Sequence, residues 1–270
     1  MKHIKKSFGI ICINKHKTKG LQILLVKKNV SYYFCEFVFG HYKKSDDNHL
    51  KKLFNNMTFH EKMDILSMRY EIMWYRIYKT YQQNSSTSYF ANLNDIKTQS
   101  AQPNKLYIKK KAKFETCFMG DGGIKLKKLM NSTTNGETIW EIPKGRIDEK
   151  DGNLINSAIR EFTEETGVDP EKYEILYHMD SYIESYKDFN TTYKNEYFFA
   201  NAPADYLPSI KFNDEHQISE VSDMNWCTIN DLKNMKLDTK THNRLIKSFE
   251  KIIKKYKNYV KKSSNISSFC

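Results

Sequence analysis

Residues 140–168 read WEIPKGRIDEKDGNLINSAIREFTEETGV. Placed on a helix of about 3.6 residues per turn, Glu161, Glu164 and Glu165 fall at i, i+3 and i+4 and share one face. Three like charges this close repel each other and cost helix stability unless a cation joins them. Hard divalent cations take oxygen ligands and keep room for substrate phosphates. A solvated acidic face is the commoner use of such a cluster, so the flanking residues decide. Gly167-Val168 supplies a helix-ending C-cap pattern. Gly145 permits the backbone conformation at which a strand turns into a loop. Arg160 can form a fixed ion pair that orients a glutamate. A phosphate-directed metal site on a helix is the expectation.

The rest of the chain is long enough to bury a proper core around this site. Its 270 residues allow one large domain or two small ones. An apolar content of 39% with 14% aromatics argues for a folded chain rather than a disordered one. The net charge of +12, nearly all from Lys, suits polyanionic partners such as nucleic acid or inositol phosphates. The five cysteines fall at no metal or disulfide spacing, which fits a reducing, cytoplasmic setting. The basic start MKHIKKSFGIICINK contains an apolar run too short for a signal peptide or a membrane span.

Upstream of the acidic helix, residues 7–13 and Leu21–Lys27 read as two strands of a hairpin around a polar turn at Asn14–Gly20. Phe34–Gly40 reads as a third β piece. From about Ser45 the period becomes helical. Leu50, Leu53 and Phe54 open one amphipathic segment, and Glu61–Tyr81 reads as a single strong helix with a core-facing aromatic stripe. Gln82–Pro103 reads as a polar linker, and Tyr107–Phe114 and Ile124–Met130 as short basic helices. β character returns at Thr138–Ile142, then at Glu174–Met179, Ser181–Ser185, Tyr193–Ala200 and Glu220–Cys227. Thr239–Lys262 closes the chain as a long amphipathic helix. The organisation expected is an α/β domain from 1–42 and 136–270, split by a helical, basic insertion at 43–135.

Gly145, an acid near 149–151, and Arg160-Glu161-Phe162-x-Glu164-Glu165-x-Gly167-Val168 together resemble the Nudix box. That signature runs Gly, five residues, Glu, seven residues, then Arg-Glu-apolar-x-Glu-Glu-x-Gly-apolar. The last nine positions match fully, whereas Gly145 to Arg160 is one residue longer than the pattern. Asp151 or Glu149 can meet the loop acid, and Asp151 is favoured. The resemblance implies a Nudix α/β/α sandwich, here with an inserted helical domain, that hydrolyses a nucleoside diphosphate linked to another moiety. It also implies Mg²⁺ or Mn²⁺ held by Glu161, Glu164 and Glu165, with Arg160 and Lys144 in the catalytic constellation.

The lead-in Trp140-Glu141-Ile142-Pro143-Lys144-Gly145 is similar to that of Nudix enzymes that cut mRNA caps, and of dinucleoside polyphosphate and diphosphoinositol polyphosphate hydrolases. Ser31–Tyr42, Phe54–Thr58 and Met73–Tyr75 resemble segments in and before the helical insertion of decapping members from large cytoplasmic DNA viruses. This implies capped mRNA as substrate, m7GDP and 5′-phosphate RNA as products, and a host-cell cytoplasmic location. Diphosphoinositol polyphosphates or dinucleoside polyphosphates are the alternative substrates, and a silent Nudix fold that only binds RNA is a third reading. The intact carboxylates oppose the third, because a retired site has no reason to keep their repulsion. Lys109, Lys110, Lys111, Lys113, Lys127, Lys128, Lys254 and Lys255 are candidate RNA-backbone contacts. Glu165, Glu220 and Glu215 are candidate general bases.

Overall fold

Alternation along the first strand sets the architecture. Phe8, Ile10 and Cys12 point to one face of a sheet, and Ile11 and Ile13 to the other. In the computed structural model, residues 3–81, 105–137, 139–188, 191–211, 214, 217, 220–235 and 239–267 are described. In chain order the first elements are β1 (His3–His16) and β2 (Gly20–Lys28). A helical stretch follows, with α1 (Tyr32–Val38), α2 (Asp47–Asn56), α3 (Phe59–Leu66), α4 (Tyr70–Tyr81), α5 (Lys105–Phe114) and α6 (Ile124–Asn131). Next come β3 (Trp140–Glu141), β4 (Lys144–Gly145) and α7 (Leu154–Thr166). The chain ends with β5 (Glu174–Ile175), β6 (Tyr182–Asp188), β7 (Thr191–Asn201), β8 (Val221–Cys227), α8 (Ile229–Asn234) and α9 (Thr239–Ser267).

Two units result: Met1–Lys28 with Trp140–Cys270, and Asn29–Ile139. In the first unit the strand order is β3-β2-β1-β7-β5, with β4 on β1, β6 on β7 and β8 on β2. β1 and β7 run parallel, and the other pairs are antiparallel. One face packs on Ala158 and Phe162 of α7. The other packs on Leu245, Phe249 and Ile252 of α9. This is an α/β/α sandwich, in which burying one Phe contributes about 1.5–3 kcal/mol. Among the described residues, no helix is long and apolar enough to cross a membrane.

The second unit is helical. Phe34, Phe37, Leu50, Phe54, Tyr70 and Phe114 are buried together in its core. Phe37 meets Phe54 edge-on at 5.4 Å and Phe114 at 6.2 Å. Where the sequence places the insertion at 43–135, this unit runs Asn29–Ile139. The difference at its N-terminal end arises at Phe34–Gly40, which is helix rather than strand over Tyr32–Val38. Ser31 caps α1 by accepting from the Phe34 N–H at 3.1 Å, and Phe34, Phe37 and Val38 bury at helical spacing. Aromatic and β-branched content suggests a strand, but spacing and cap prevail.

The single helix expected over Glu61–Tyr81 is two helices, α3 and α4, broken at Ser67–Arg69, where Met68 has φ 54°. Of the expected β segments, Thr138–Ile142 shrinks to β3 and Glu174–Met179 to β5. The expected linker Gln82–Pro103 lies outside the described residues.

Candidate functional site

α7 carries the acidic residues and is defined at both ends. Asn153 caps it by accepting from the Asn156 N–H at 2.8 Å. Gly167, at φ 63°, ends it by donating to the Thr163 carbonyl at 2.7 Å. The helix lays its apolar side on β1 and turns Glu161 and Glu165 toward the β4 segment. Gly145 is required there by close approach. A Cβ at this position would lie 1.8 Å from the Glu161 carboxylate. Gly9 has the same need, because a Cβ would lie 2.1 Å from the Pro143 carbonyl oxygen.

The three glutamates do not share one environment. Glu164 is about one-third exposed and accepts from Arg160 Nη1 at 2.9 Å. Glu161 is buried and accepts from the same nitrogen at 3.0 Å. Glu165 is the most buried, and one of its oxygens accepts the Lys144 backbone N–H at 3.1 Å. Its other oxygen accepts from Lys28 Nζ at 2.5 Å. Lys28 also reaches Glu220 at 3.2 Å. Nothing in the local sequence pattern marks Lys28, at the end of β2, as part of this site.

Arg160 is the hub. It donates to both oxygens of Asp151, at 2.8 and 3.0 Å, and to the Arg146 carbonyl at 2.8 Å. Asp151 is thus the loop acid paired with the box arginine, while Glu149 is exposed. The extra residue of the loop follows Asp151, so the Gly145–Asp151 spacing keeps the pattern. The guanidinium holds the Asp151 carboxyl down at about 2. Because Lys cannot reproduce a planar fork, Arg160→Lys is expected to cost about 1–3 kcal/mol of folding stability. Denaturant unfolding of the metal-free chain measures this, and an unchanged midpoint would contradict the hub role.

Burial, with Glu165 and Glu164 adding repulsion, pushes the Glu161 carboxyl up to about 8 against the opposing pull of Arg160. Glu165 is also raised, chiefly by burial, although Lys28 draws it back. For Lys28, burial opposes the charge, but Glu165, Glu220 and Glu141 outweigh it and hold the ammonium well above its usual range. Concentrated carboxylate charge of this kind is what a divalent cation relieves, and the donors are all hard oxygens. Among the described residues no three acidic, His or Cys side chains converge as a ready-made metal cage. Arg160 pairs with Glu161 and Glu164, and Lys28 with Glu165 and Glu220. The residues therefore fit a hard cation by the chemistry of their donors, with the side chains paired to the chain's own cations.

Lys144 is not a solvated loop lysine: its Nζ pairs with Glu141 at 2.6 Å in a largely buried contact. Trp140 packs against the α9 side of the core. Glu215 and His216 lie outside the described residues. Of the lysines expected at RNA, Lys109, Lys127, Lys128 and Lys254 are exposed, and Lys110 is half-buried. Lys111 instead pairs with Glu71, and Lys113 donates to the Gly40 and Tyr42 carbonyls at 2.7 Å each. Lys255 donates to the Ser181 carbonyl at 3.0 Å. These last three hold the chain's own groups.

The NUDIX domain profile matches residues 120–249. β1 and β2 lie outside that match, on the N-terminal side of the insertion. The mRNA-decapping protein g5R of African swine fever virus is 34% identical over 230 residues, covering 83% of this chain and 85% of its own length in a Namibian isolate. In a South African isolate the identity is again 34%, with 83% of each chain covered. Among solved structures, an Ap4A hydrolase of C. elegans aligns over 92% of this chain and 96% of its own, with a TM-score of 0.40 and 12% identity.

Proposed function

Since this chain belongs to the Nudix family, we propose that it is a metal-dependent mRNA-decapping pyrophosphohydrolase, releasing m7GDP and leaving 5′-phosphate RNA. The observation that carries this reading is the packing of Glu161 and Glu165, both buried, against the β4 segment. Burying carboxylates is costly unless cations offset their charge, which supports a cation-binding use for this cluster. The 34% identity to a viral mRNA-decapping protein supports capped mRNA as the substrate class.

Glu161, Glu164 and Glu165 would hold Mg²⁺ or Mn²⁺. Bound there, the cation would neutralise the pyrophosphate and sharpen a water as nucleophile. Arg160 fixes the orientation of Glu161 and Glu164 through its anchorage on Asp151 and the Arg146 carbonyl. The Lys144 N–H fixes one oxygen of Glu165. Of the general-base candidates, Glu165 lies on the box helix itself, and Glu220 is joined to it through Lys28. The exposed Lys109, Lys127, Lys128 and Lys254 are proposed to meet the RNA backbone, alongside the half-buried Lys110. The host cytoplasm is the proposed site of action.

The deciding experiment uses cap-labelled RNA, with uncapped RNA and an inositol pyrophosphate as competitors. Release of m7GDP, blocked by uncapped RNA, is the expected result. Cleavage of the inositol compound alone would replace mRNA with that substrate. A second test concerns the insertion. Lys27 and Trp140 are paired neighbours on β2 and β3, so a short turn can replace Asn29–Ile139. This replacement is expected to weaken RNA binding by about 10²-fold or more, with the loss growing at low salt, as for removal of several phosphate contacts. Hydrolysis of a small dinucleoside polyphosphate should survive. Undiminished RNA affinity would remove the insertion from the RNA-binding surface.

A further inference from the structure

We propose that Lys28 is a positioning residue that ties Glu220 to the box helix and competes with an incoming cation for Glu165. The inference rests on the reading of this site as a metal-dependent pyrophosphohydrolase. Three observations support it. First, Lys28 Nζ lies 2.5 Å from Glu165 Oε1 and 3.2 Å from Glu220 Oε2, with side-chain exposures of 13%, 2% and 27% in that order. This ammonium bridges two carboxylates that come from different elements.

Second, the two oxygens of Glu165 are held differently. Oε2 accepts a backbone N–H, from Lys144, which cannot leave without moving β4. Oε1 accepts from a flexible side chain, which can swing away. A cation held by Glu165 would therefore compete with Lys28 for this carboxylate, and Lys28 would keep Glu220 as its partner.

Third, the backbone is irregular where Lys28 sits. The β2–β8 register runs Lys27↔Asp223 and then Lys28↔Val221, a shift that falls between Lys27 and Lys28. Irregularities of this kind re-aim a side chain beside a site. Here the shift sets Lys28 opposite Val221, the residue after Glu220.

The test uses the full chain. Mn²⁺ alone is the probe for affinity, read by the spin-resonance signal of free Mn²⁺, and cap-labelled RNA is the probe for turnover. Lys28→Met is expected to tighten Mn²⁺ binding by about tenfold, because a positive charge paired with the Glu165 carboxylate is gone. It should also lower kcat by about 10-fold or more with little change in KM, because Glu220 loses its tether. Lys28→Arg, which keeps the charge, should return both values toward those of the natural chain. Glu220→Gln covers the case in which Lys28→Met fails to fold. It is expected to lower kcat while leaving Mn²⁺ binding no tighter, since Lys28 then serves Glu165 alone.

Unchanged or weaker Mn²⁺ affinity in Lys28→Met overturns the competition. Full turnover in Glu220→Gln overturns the tether. A purely structural Lys28 would lower stability and weaken Mn²⁺ binding together, the opposite of the expected divergence. If the natural chain cleaves no cap, the decapping reading fails on its own, and the Mn²⁺ affinities of Lys28→Met and Lys28→Arg still decide the competition.

Discussion

Glu164→Gln is expected to reduce metal-dependent hydrolysis by about 10²–10³-fold, the size of loss seen when one preorganised electrostatic group is removed. It should leave folding stability within about 0.5 kcal/mol, because a partly exposed i,i+4 ion pair contributes no more than that. Glu164 is the most exposed of the three glutamates, and it accepts from Arg160 at 2.9 Å. Gln keeps its shape and loses only the charge that a cation needs. Glu165→Gln should cost as much turnover but should also change stability. Glu165 is buried, and its substitution leaves the Lys28 ammonium with Glu220 alone. Turnover of both variants across a Mg²⁺ titration, beside their unfolding midpoints, separates the two effects. Turnover like that of the natural chain in either variant would dissolve the metal-site assignment.

The second large effect concerns pH in the absence of metal. The Glu161 carboxyl is raised from 4.5 to about 8 by burial and by the carboxylates around it. Between those values the folded chain keeps a proton that the unfolded chain has released. Raising the pH strips that proton, so the metal-free chain should lose stability across this window. The contribution is complete below 4.5 and gone above about 8. The loss should be on the order of a few kcal/mol, since a tenfold change in proton affinity corresponds to about 1.4 kcal/mol and neighbouring groups share the effect. A divalent cation should restore the stability at the alkaline end, because it replaces the proton as the counter-charge. Urea unfolding from about pH 5 to 8, with chelator and then with Mg²⁺, measures both. Glu161→Gln should flatten the chelator curve. A metal-free chain that gains stability over this range would contradict the burial of Glu161 beside Glu165 and Glu164.

The box helix is legible in the sequence because its signals are local. Gly167 marks its end and the spacing of the three glutamates marks one face, while the Asn153 cap and the buried Ala158 and Phe162 emerge from the structure. Asp151 is legible as the loop acid only by counting from Gly145, and its fork with Arg160 explains why the count holds at that end of the loop. Lys28 is not legible, because 137 residues separate it from Glu165 and no spacing rule spans such a distance. The α1 segment reads as a strand because Tyr, Phe and Val favour strands on average. The deciding feature is Ser31, whose hydroxyl caps the helix and also donates to Glu61 at 2.9 Å. Three of the lysines expected at RNA are instead latches on carbonyls or on Glu71, which composition cannot distinguish from solvated charge.

The pairing of Lys27 with Trp140 has a consequence for how the chain folds. Those two residues must meet across the whole of Asn29–Ile139. For a disordered connection the entropy of closure grows only slowly, by about 0.6 kcal/mol per doubling of length. Such a long contact is nonetheless slow to form. The insertion has its own core, centred on Phe37, and can condense first on its own contacts. Once condensed, it would present the two ends as a short effective loop, and the sheet would close as though across a hairpin. The helical unit would then act as a folding aid for the strands that flank it, and a chain with the core of that unit disrupted should refold slowly even where its final sheet is unchanged.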